Sequence, residues 1–277
     1  MMGTVGHPVR QSLSPNLQTT LGVMYDEDIV YLAYDITADK IGDFVNAMKT
    51  LGIIGCNVTM PCKEAIIPYL DQLDKFAQKC GAVNVVKNNN GKLVGYNVDA
   101  DGFRLALYAH GTDYKDKKVI VIGAGGAARS IVESAVDNGA AKIWVFNRTV
   151  EKAEKLIKGR KQISAHPYDE EVLKVIAAGA DVIINTTSLG MTGNASDYKS
   201  FDFLDDTKAI VAEVVYHPLK TALLLEAEKR GLEIVKGIEM LIYQAFLTFE
   251  IVTGRRTNSD RDYQIIENML IELLEDL

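Results

Sequence analysis

A glycine-rich segment, Gly123-Ala124-Gly125-Gly126-Ala127, follows the β-branched apolar run Lys118–Ile122 and precedes an alanine-rich stretch. Residues of these types in this order can hold a dinucleotide pyrophosphate. Gly123 permits the tight turn, Gly125 lets the backbone approach phosphate, and Ala128 takes the small position where helix packs on strand. The helix that follows would offer free N–H groups and a partial positive charge. An NAD-selective site usually places Asp or Glu at the end of the next strand, about 20 residues after the glycines, to bind the ribose 2′-OH. Here that place holds Asn147, Arg148 and Thr149, with Lys152 one turn on. A solvated basic loop is the plain account of these residues. Donors and cations also suit a 2′-phosphate, and the segment reads as an NADP(H) site.

A second set of reactive residues lies earlier, in Asn57-Val-Thr-Met-Pro-Cys-Lys63. Pro61 is placed for the first turn of a helix. Lys63 would then stand in that first turn, where the helix dipole disfavours a cation. Such a position lowers a lysine pKa and eases proton transfer near neutrality; a surface lysine is the plainer reading. Asp99 has an equally good account as the N-cap of a helix over Asp99–His110, with Gly111 as its stop.

The elements that must position these residues are those of an α/β protein, with strand-like runs alternating with helical patterns. The 277 residues allow about two domains, each with its own core. Strands are expected at Tyr31–Ile36, Ile53–Val58, Val119–Ile122, Ile143–Phe146, Val182–Asn185, Ala209–Val214 and Glu233–Val235. Helices are expected at Ala38–Leu51, Asp99–His110, Ile238–Val252 and Tyr263–Leu274, and the strand before Gly6 looks short. The helix at Asp99 reads as a hinge between domains.

Composition narrows the function classes. A hydrophobic share of 48% and a charged share of 24% are those of an ordinary globular protein. The net charge of −7 argues against nucleic acid and anionic membrane as partners. Cys56, Cys62 and Cys80 form no C-x-x-C pair, so reduced thiols in a cytoplasmic protein are expected. His7, His110, His166 and His217 provide no ligand pair at helical spacing, and no metal is expected. No signal-peptide pattern and no long apolar run is present.

The motifs taken together resemble those of shikimate dehydrogenases. They are Ser12-Leu-Ser-Pro15, Asn57-Val-Thr-Met-Pro-Cys-Lys63, Gly81-Ala-Val-Asn84, Gly95-Tyr-Asn-Val-Asp99, Gly123-Ala-Gly-Gly-Ala127, Asn147-Arg-Thr149, Asn185-Thr-Thr-Ser-Leu-Gly-Met191 and Gly237-Ile-Glu-Met-Leu-Ile-Tyr-Gln244. The resemblance runs along essentially the whole chain in the family's order. It implies an α/β substrate domain of residues 1–101, to which C-terminal helices of 238–277 return. It also implies a Rossmann-like, doubly wound NADP-binding domain of residues 102–237. The implied activity is NADPH-dependent, reversible reduction of 3-dehydroshikimate to shikimate, in aromatic amino-acid biosynthesis.

By the same resemblance Lys63 and Asp99 are the catalytic pair. Ser12, Ser14 and Tyr216 face the substrate carboxylate, and Asn57, Thr59, Asn84, Asp99 and Gln244 face its ring hydroxyls. Val214 and Gly237 join the cofactor set. Plainer accounts stay open for several of these: Ser14 as an N-cap, Thr59 as a cap after Pro61, Tyr216 as packing, Gln244 on an exposed helix face. The chain departs from the family at Asn16-Leu-Gln-Thr-Thr20, where His-Asn is common. It departs again at Ala100, where glycine is common, and at Val214-Val215 before Tyr216. A quinate/shikimate dehydrogenase using NAD(H) is the nearest rival, and a non-catalytic metabolite sensor of the same fold is the more distant one. A small-molecule substrate and a monomer or homodimer complete the expectation.

Overall fold

The computed structural model describes residues 1–193 and 198–275. The chain divides into two compact units, one of Met1–Gly102 with Ile242–Glu272, the other built on Phe103–Leu241.

The first unit holds six strands: β1 Met2–Gly6, β2 Tyr31–Asp35, β3 Gly55–Val58, β4 Gln72–Leu73, β5 Val85–Asn89 and β6 Lys92–Tyr96. Their order is β2-β1-β3-β5-β6-β4. β1 runs parallel to β2 and β3, with Met2 opposite both Tyr31 and Gly55. It is five residues long and buried throughout, so the chain is in the sheet from its second residue. β5 then lies antiparallel to β3 and pairs with β6 in a hairpin. Asn90 (φ 53°) and Gly91 (φ 92°) make the turn. Asn-Gly is a strong hairpin signal because both central residues need positive φ. That signal was present in the sequence, but the hairpin was not among the expected elements.

One face of this sheet closes over Val5, Phe44, Met48, Ile53, Ile66 and Val83. A smaller cluster of Met2, Tyr31, Val85, Val98 and Val252 joins β1 and β5 to the helix Gly237–Thr253. The expected helix at Ala38–Leu51 is a 3₁₀ turn, Ala38–Lys40, running into Ile41–Thr50.

The second unit is a six-stranded sheet of β7 Lys118–Ile122, β8 Lys142–Asn147, β9 Ile163–Pro167, β10 Val182–Asn185, β11 Ile210–Glu213 and β12 Ile234–Val235. All pairings are parallel and the order is β12-β11-β10-β7-β8-β9. The first strand in sequence is therefore central and the order reverses beside it, which is the doubly wound arrangement. Its strands read as apolar runs because such a sheet is covered on both faces. Ile120, Ile122, Phe146, Ile183, Val211 and Leu223 form the core on one of them. β9 was not expected. It lies at the sheet edge and is only partly buried, so its apolar signal is weak, and Pro167 ends it where an N–H is dispensable.

No helix among the described residues is long and apolar enough to cross a membrane. No group of His, Cys, Asp and Glu among them could hold a metal ion. The three cysteines are buried and none is in a disulfide.

Candidate active site

In the first unit the chain leaves β3 at Val58 and turns through Thr59-Met60-Pro61 into Cys62–Ala65. That helix is a single turn. A macrodipole is a sum over aligned peptides, so the dipole acting on Lys63 that the sequence suggested has little source here. What acts on Lys63 is Asp99. Lys63 Nζ lies 2.5 Å from Asp99 Oδ2. The backbone is tied as well, because Val83 N–H donates to the Lys63 carbonyl at 2.9 Å.

Asp99 is the first residue of the helix Asp99–Ala109 and is 8% exposed. Its other oxygen, Oδ1, accepts from Asn84 Nδ2 at 2.7 Å. Both oxygens are thus given to side chains, and the N-cap account of Asp99 does not hold. Asn97 does the local work instead, its Oδ1 accepting from Asp99 N–H at 3.2 Å. Asn84 is itself braced, since Val98 N–H donates to its Oδ1 at 2.8 Å. Three of the expected residues therefore form one bonded series, Lys63–Asp99–Asn84. It presents an ammonium group, held by a largely buried carboxylate, that can donate a proton to an oxygen placed beside it.

Among the remaining expected residues of this unit, Asn57 reaches the series directly, its Nδ2 donating to the Asn84 carbonyl at 3.5 Å. Asn57 accepts from the Tyr31 hydroxyl at 2.7 Å and donates to Thr248 Oγ1 at 3.0 Å, all three being buried. Burial pushes the Tyr31 phenol well up, against hydrogen bonds from Asn57, Ser14 and Thr4. Gln244 lies one helical turn before Thr248 on Gly237–Thr253, and both are buried, so the exposed-face account of Gln244 fails. Gly102 leaves room for it, because a Cβ there would lie 2.8 Å from the Gln244 backbone nitrogen.

Ser14 is buried in the first turn of Ser14–Met24, with no side-chain cap on that helix. Its N–H donates to Ser12 Oγ at 3.3 Å. Thr59 does not cap with its hydroxyl; its carbonyl accepts from Cys62 N–H at 2.8 Å, and its methyl covers Gly6. Tyr31, Asn97 and Thr248 were missed by sequence reasoning. Thr248 carried a signal in its i+4 spacing from Gln244, and Asn97 stood inside the Gly95–Asp99 motif; Tyr31 carried none.

In the second unit Gly123 follows β7 with φ 115°, a backbone open to glycine, and a Cβ there would overlap Thr186 Oγ1. Gly125 precedes the helix Gly126–Asp137, and neither Gly125 nor Gly126 has an atom within 4 Å of where a Cβ would stand. Bare backbone at a helix N-terminus, facing open space, fits a pyrophosphate. Ala124 and Ala127 are partly exposed and Ala128 is fully buried, as helix-on-strand packing requires. Asn147 ends β8, and its Nδ2 donates to the Thr149 carbonyl at 2.7 Å, setting the turn that carries Arg148. Arg148 and Lys152 are exposed.

Gly237 accommodates a close approach of the Val214–Val215 backbone, which a Cβ would overlap. The Tyr216 phenol is pushed up by burial. These residues fit an NADP molecule. Thr186 and Thr187, at the end of β10 beside Gly123, were not expected as site residues although their motif was noted.

A family model described as shikimate dehydrogenase substrate binding domain matches residues 4–86. A second, described as shikimate / quinate 5-dehydrogenase, matches residues 104–192. The NADP(+) shikimate dehydrogenase of Methanocaldococcus jannaschii is 39% identical, the alignment covering 98% of this chain and 96% of the relative. The crystal structure of shikimate 5-dehydrogenase from Listeria monocytogenes, in complex with shikimate and NAD, superposes with a TM-score of 0.87 at 34% identity, covering 97% of this chain and 95% of that one. The Thermus thermophilus enzyme in complex with NADP(H) and shikimate superposes with a TM-score of 0.85 at 29% identity, over 96% and 98%.

Proposed function

Since the chain belongs to the shikimate dehydrogenase family, we propose that it catalyses the reversible, NADPH-dependent reduction of 3-dehydroshikimate to shikimate, a step of aromatic amino-acid biosynthesis. The observation that carries the reading is the bonded series Lys63–Asp99–Asn84.

Lys63 donates a proton from Nζ to the oxygen of the ring carbonyl as that oxygen becomes an alkoxide. Asp99 holds the ammonium in place, and Asn84 holds Asp99. A cation positioned beside a developing oxyanion stabilises the transition state more than the ground state. When bound, NADPH supplies the hydride. The Gly123–Ala127 backbone would hold its pyrophosphate, Arg148 its 2′-phosphate with Asn147, Thr149 and Lys152 alongside, and Val214 and Gly237 would flank it. Ser12, Ser14 and Tyr216 meet the substrate carboxylate, and Asn57, Thr59, Asn84, Asp99 and Gln244 its hydroxyls. Residues 1–101 with 238–277 serve the substrate, and 102–237 the cofactor. A cytoplasmic monomer or homodimer without nucleic-acid or membrane partners belongs to the same proposal.

The test is a comparison of initial rates with shikimate and quinate, each against NADP⁺ and NAD⁺. A clear preference for shikimate with NADP⁺ is expected. Turnover mainly of quinate, or mainly with NAD⁺, would move the chain to the quinate side of its family. Ligand binding with no turnover by any pair would make it a sensor.

A further inference from the structure

We infer that Glu213 is a positioning residue for the cofactor, holding the segments after β10 and β11 in the arrangement that NADPH requires. The inference rests on the cofactor reading above.

Glu213 is the last residue of β11 and is fully buried. Four donors converge on it. Oε1 accepts from Asn185 Nδ2 at 2.8 Å, Val214 N–H at 3.2 Å and Val215 N–H at 3.3 Å. Oε2 accepts from Thr221 Oγ1 at 3.0 Å. Thr221 also caps the helix Ala222–Lys229, accepting from Leu224 N–H. Asn185, the last residue of β10, passes the restraint on: its Oδ1 accepts from Thr187 N–H at 3.0 Å and Thr187 Oγ1 at 2.7 Å. Thr187 Oγ1 in turn accepts from Leu189 N–H at 3.1 Å. Beside it, Thr186 donates through N–H and Oγ1 to the Ile122 carbonyl, directly before Gly123.

One carboxylate thus fixes three segments: the turn at Val214–Val215, the loop after β10 that borders Gly123, and a helix N-terminus. All lie at the C-terminal ends of central strands, where doubly wound sheets bind their ligands. A buried carboxylate is costly unless its oxygens are hydrogen-bonded, and here four donors offset that cost while being held in place by it. Its placement at this edge is accounted for by the geometry that it imposes there.

Because every partner is a donor, the ionised carboxylate is the form that satisfies the array. Protonation would put an O–H against another donor. The groups facing Glu213 are Asn185 from β10, Thr221 from the helix it caps and the two backbone amides, and none of these carries a charge. Burial raises the Glu213 pKa to about 7. The array therefore loosens as pH falls through that value.

The test uses full-length Glu213→Gln. NADPH dissociation constants for wild type and variant are measured by cofactor fluorescence from about pH 6 to about pH 8.5, and read as their ratio, which cancels the cofactor's own phosphate ionisation. The expected ratio is about tenfold weaker binding in the variant at the alkaline end, shrinking toward unity below pH 7. The KM for shikimate should stay within about twofold. A folded variant whose NADPH affinity equals wild type at all pH values overturns the inference. Should Glu213→Gln not fold, Glu213→Asp keeps the charge and shortens the reach; unchanged NADPH affinity in it has the same force. Wild type that binds NADPH but does not turn over shikimate sinks the activity reading, and Glu213 is still judged by the affinity ratio. Wild type that does not bind NADPH overturns both.

Discussion

Proton donation to a developing alkoxide requires an acid already in place when the charge appears, and Lys63, held by Asp99 at 2.5 Å, is the group proposed for it. Lys63→Ala should lower kcat by about 10²–10⁴-fold while the shikimate dissociation constant changes little, because the lost stabilisation belongs to the transition state. Near-normal kcat in that variant, measured by NADPH production, would remove Lys63 from the chemistry. Arg148 is a specificity question. Arg148→Ala should raise the KM for NADPH about tenfold and leave the NADH value nearly unchanged; equal effects on both would separate Arg148 from the 2′-phosphate. The motifs made Lys63, Asp99 and the glycine loop legible in the sequence. The bonds that organise them were less so. Asn57 meets Thr248 across 191 positions and Lys63 meets Asp99 across 36, and neither spacing has a local signature. Glu213 gave no signal because a carboxylate after an apolar run reads as the exposed end of a strand.

At the scale of elements, strands buried on both faces were legible as continuous apolar runs, and β7, β8, β10 and β11 fall within a residue or two of expectation. Partly buried β9 and the β5–β6 hairpin were not found, since edge position and mixed burial dilute a hydrophobic pattern. The helix from Asp99 does stop where Gly111 adopts φ 71°, but nothing in the local sequence hints at what His110 does there. Its Nδ1 lies 2.6 Å from Glu233 Oε1 and its Nε2 2.7 Å from Glu239 Oε2. The imidazole thereby ties this helix end to the start of Gly237–Thr253. Hydrogen bonding to Glu239, then Glu233, raises its pKa from 6.5 to about 9 against the opposing effect of burial. A raised histidine pKa contributes stability that is complete below pH 6.5 and is lost as pH rises through about 9. The ceiling is on the order of 3 kcal/mol. His110→Ala should therefore unfold at lower temperature than wild type at neutral pH, with the gap narrowing as pH passes 9. A gap that stays constant with pH would mean that the imidazolium adds nothing beyond packing.

For the molecule as a whole, two units with their own cores mean that a single melting temperature need not describe unfolding. This makes ligand-induced stabilisation informative about which part of the chain binds what. A ligand that binds only the folded state, at about a hundred times its dissociation constant, stabilises by about 2.7 kcal/mol. In a body of this size that is a rise of roughly 5–10 °C. NADP⁺ should produce that rise in the transition that contains Phe103–Leu241, and NAD⁺ at equal concentration a smaller one, because it lacks the phosphate that Arg148 and Lys152 would meet. The net charge of −7 opposes any polyanion, so the overall field does not supply the preference, and the proposed source is those local cations. Raising the salt from about 0.05 M to about 0.5 M should accordingly shrink the NADP⁺ advantage, since exposed charges are screened over a few ångströms at high ionic strength. Calorimetry in the two cofactors at both salt concentrations checks this. An advantage for NADP⁺ that survives high salt undiminished would place the discrimination in buried contacts, away from the exposed pair.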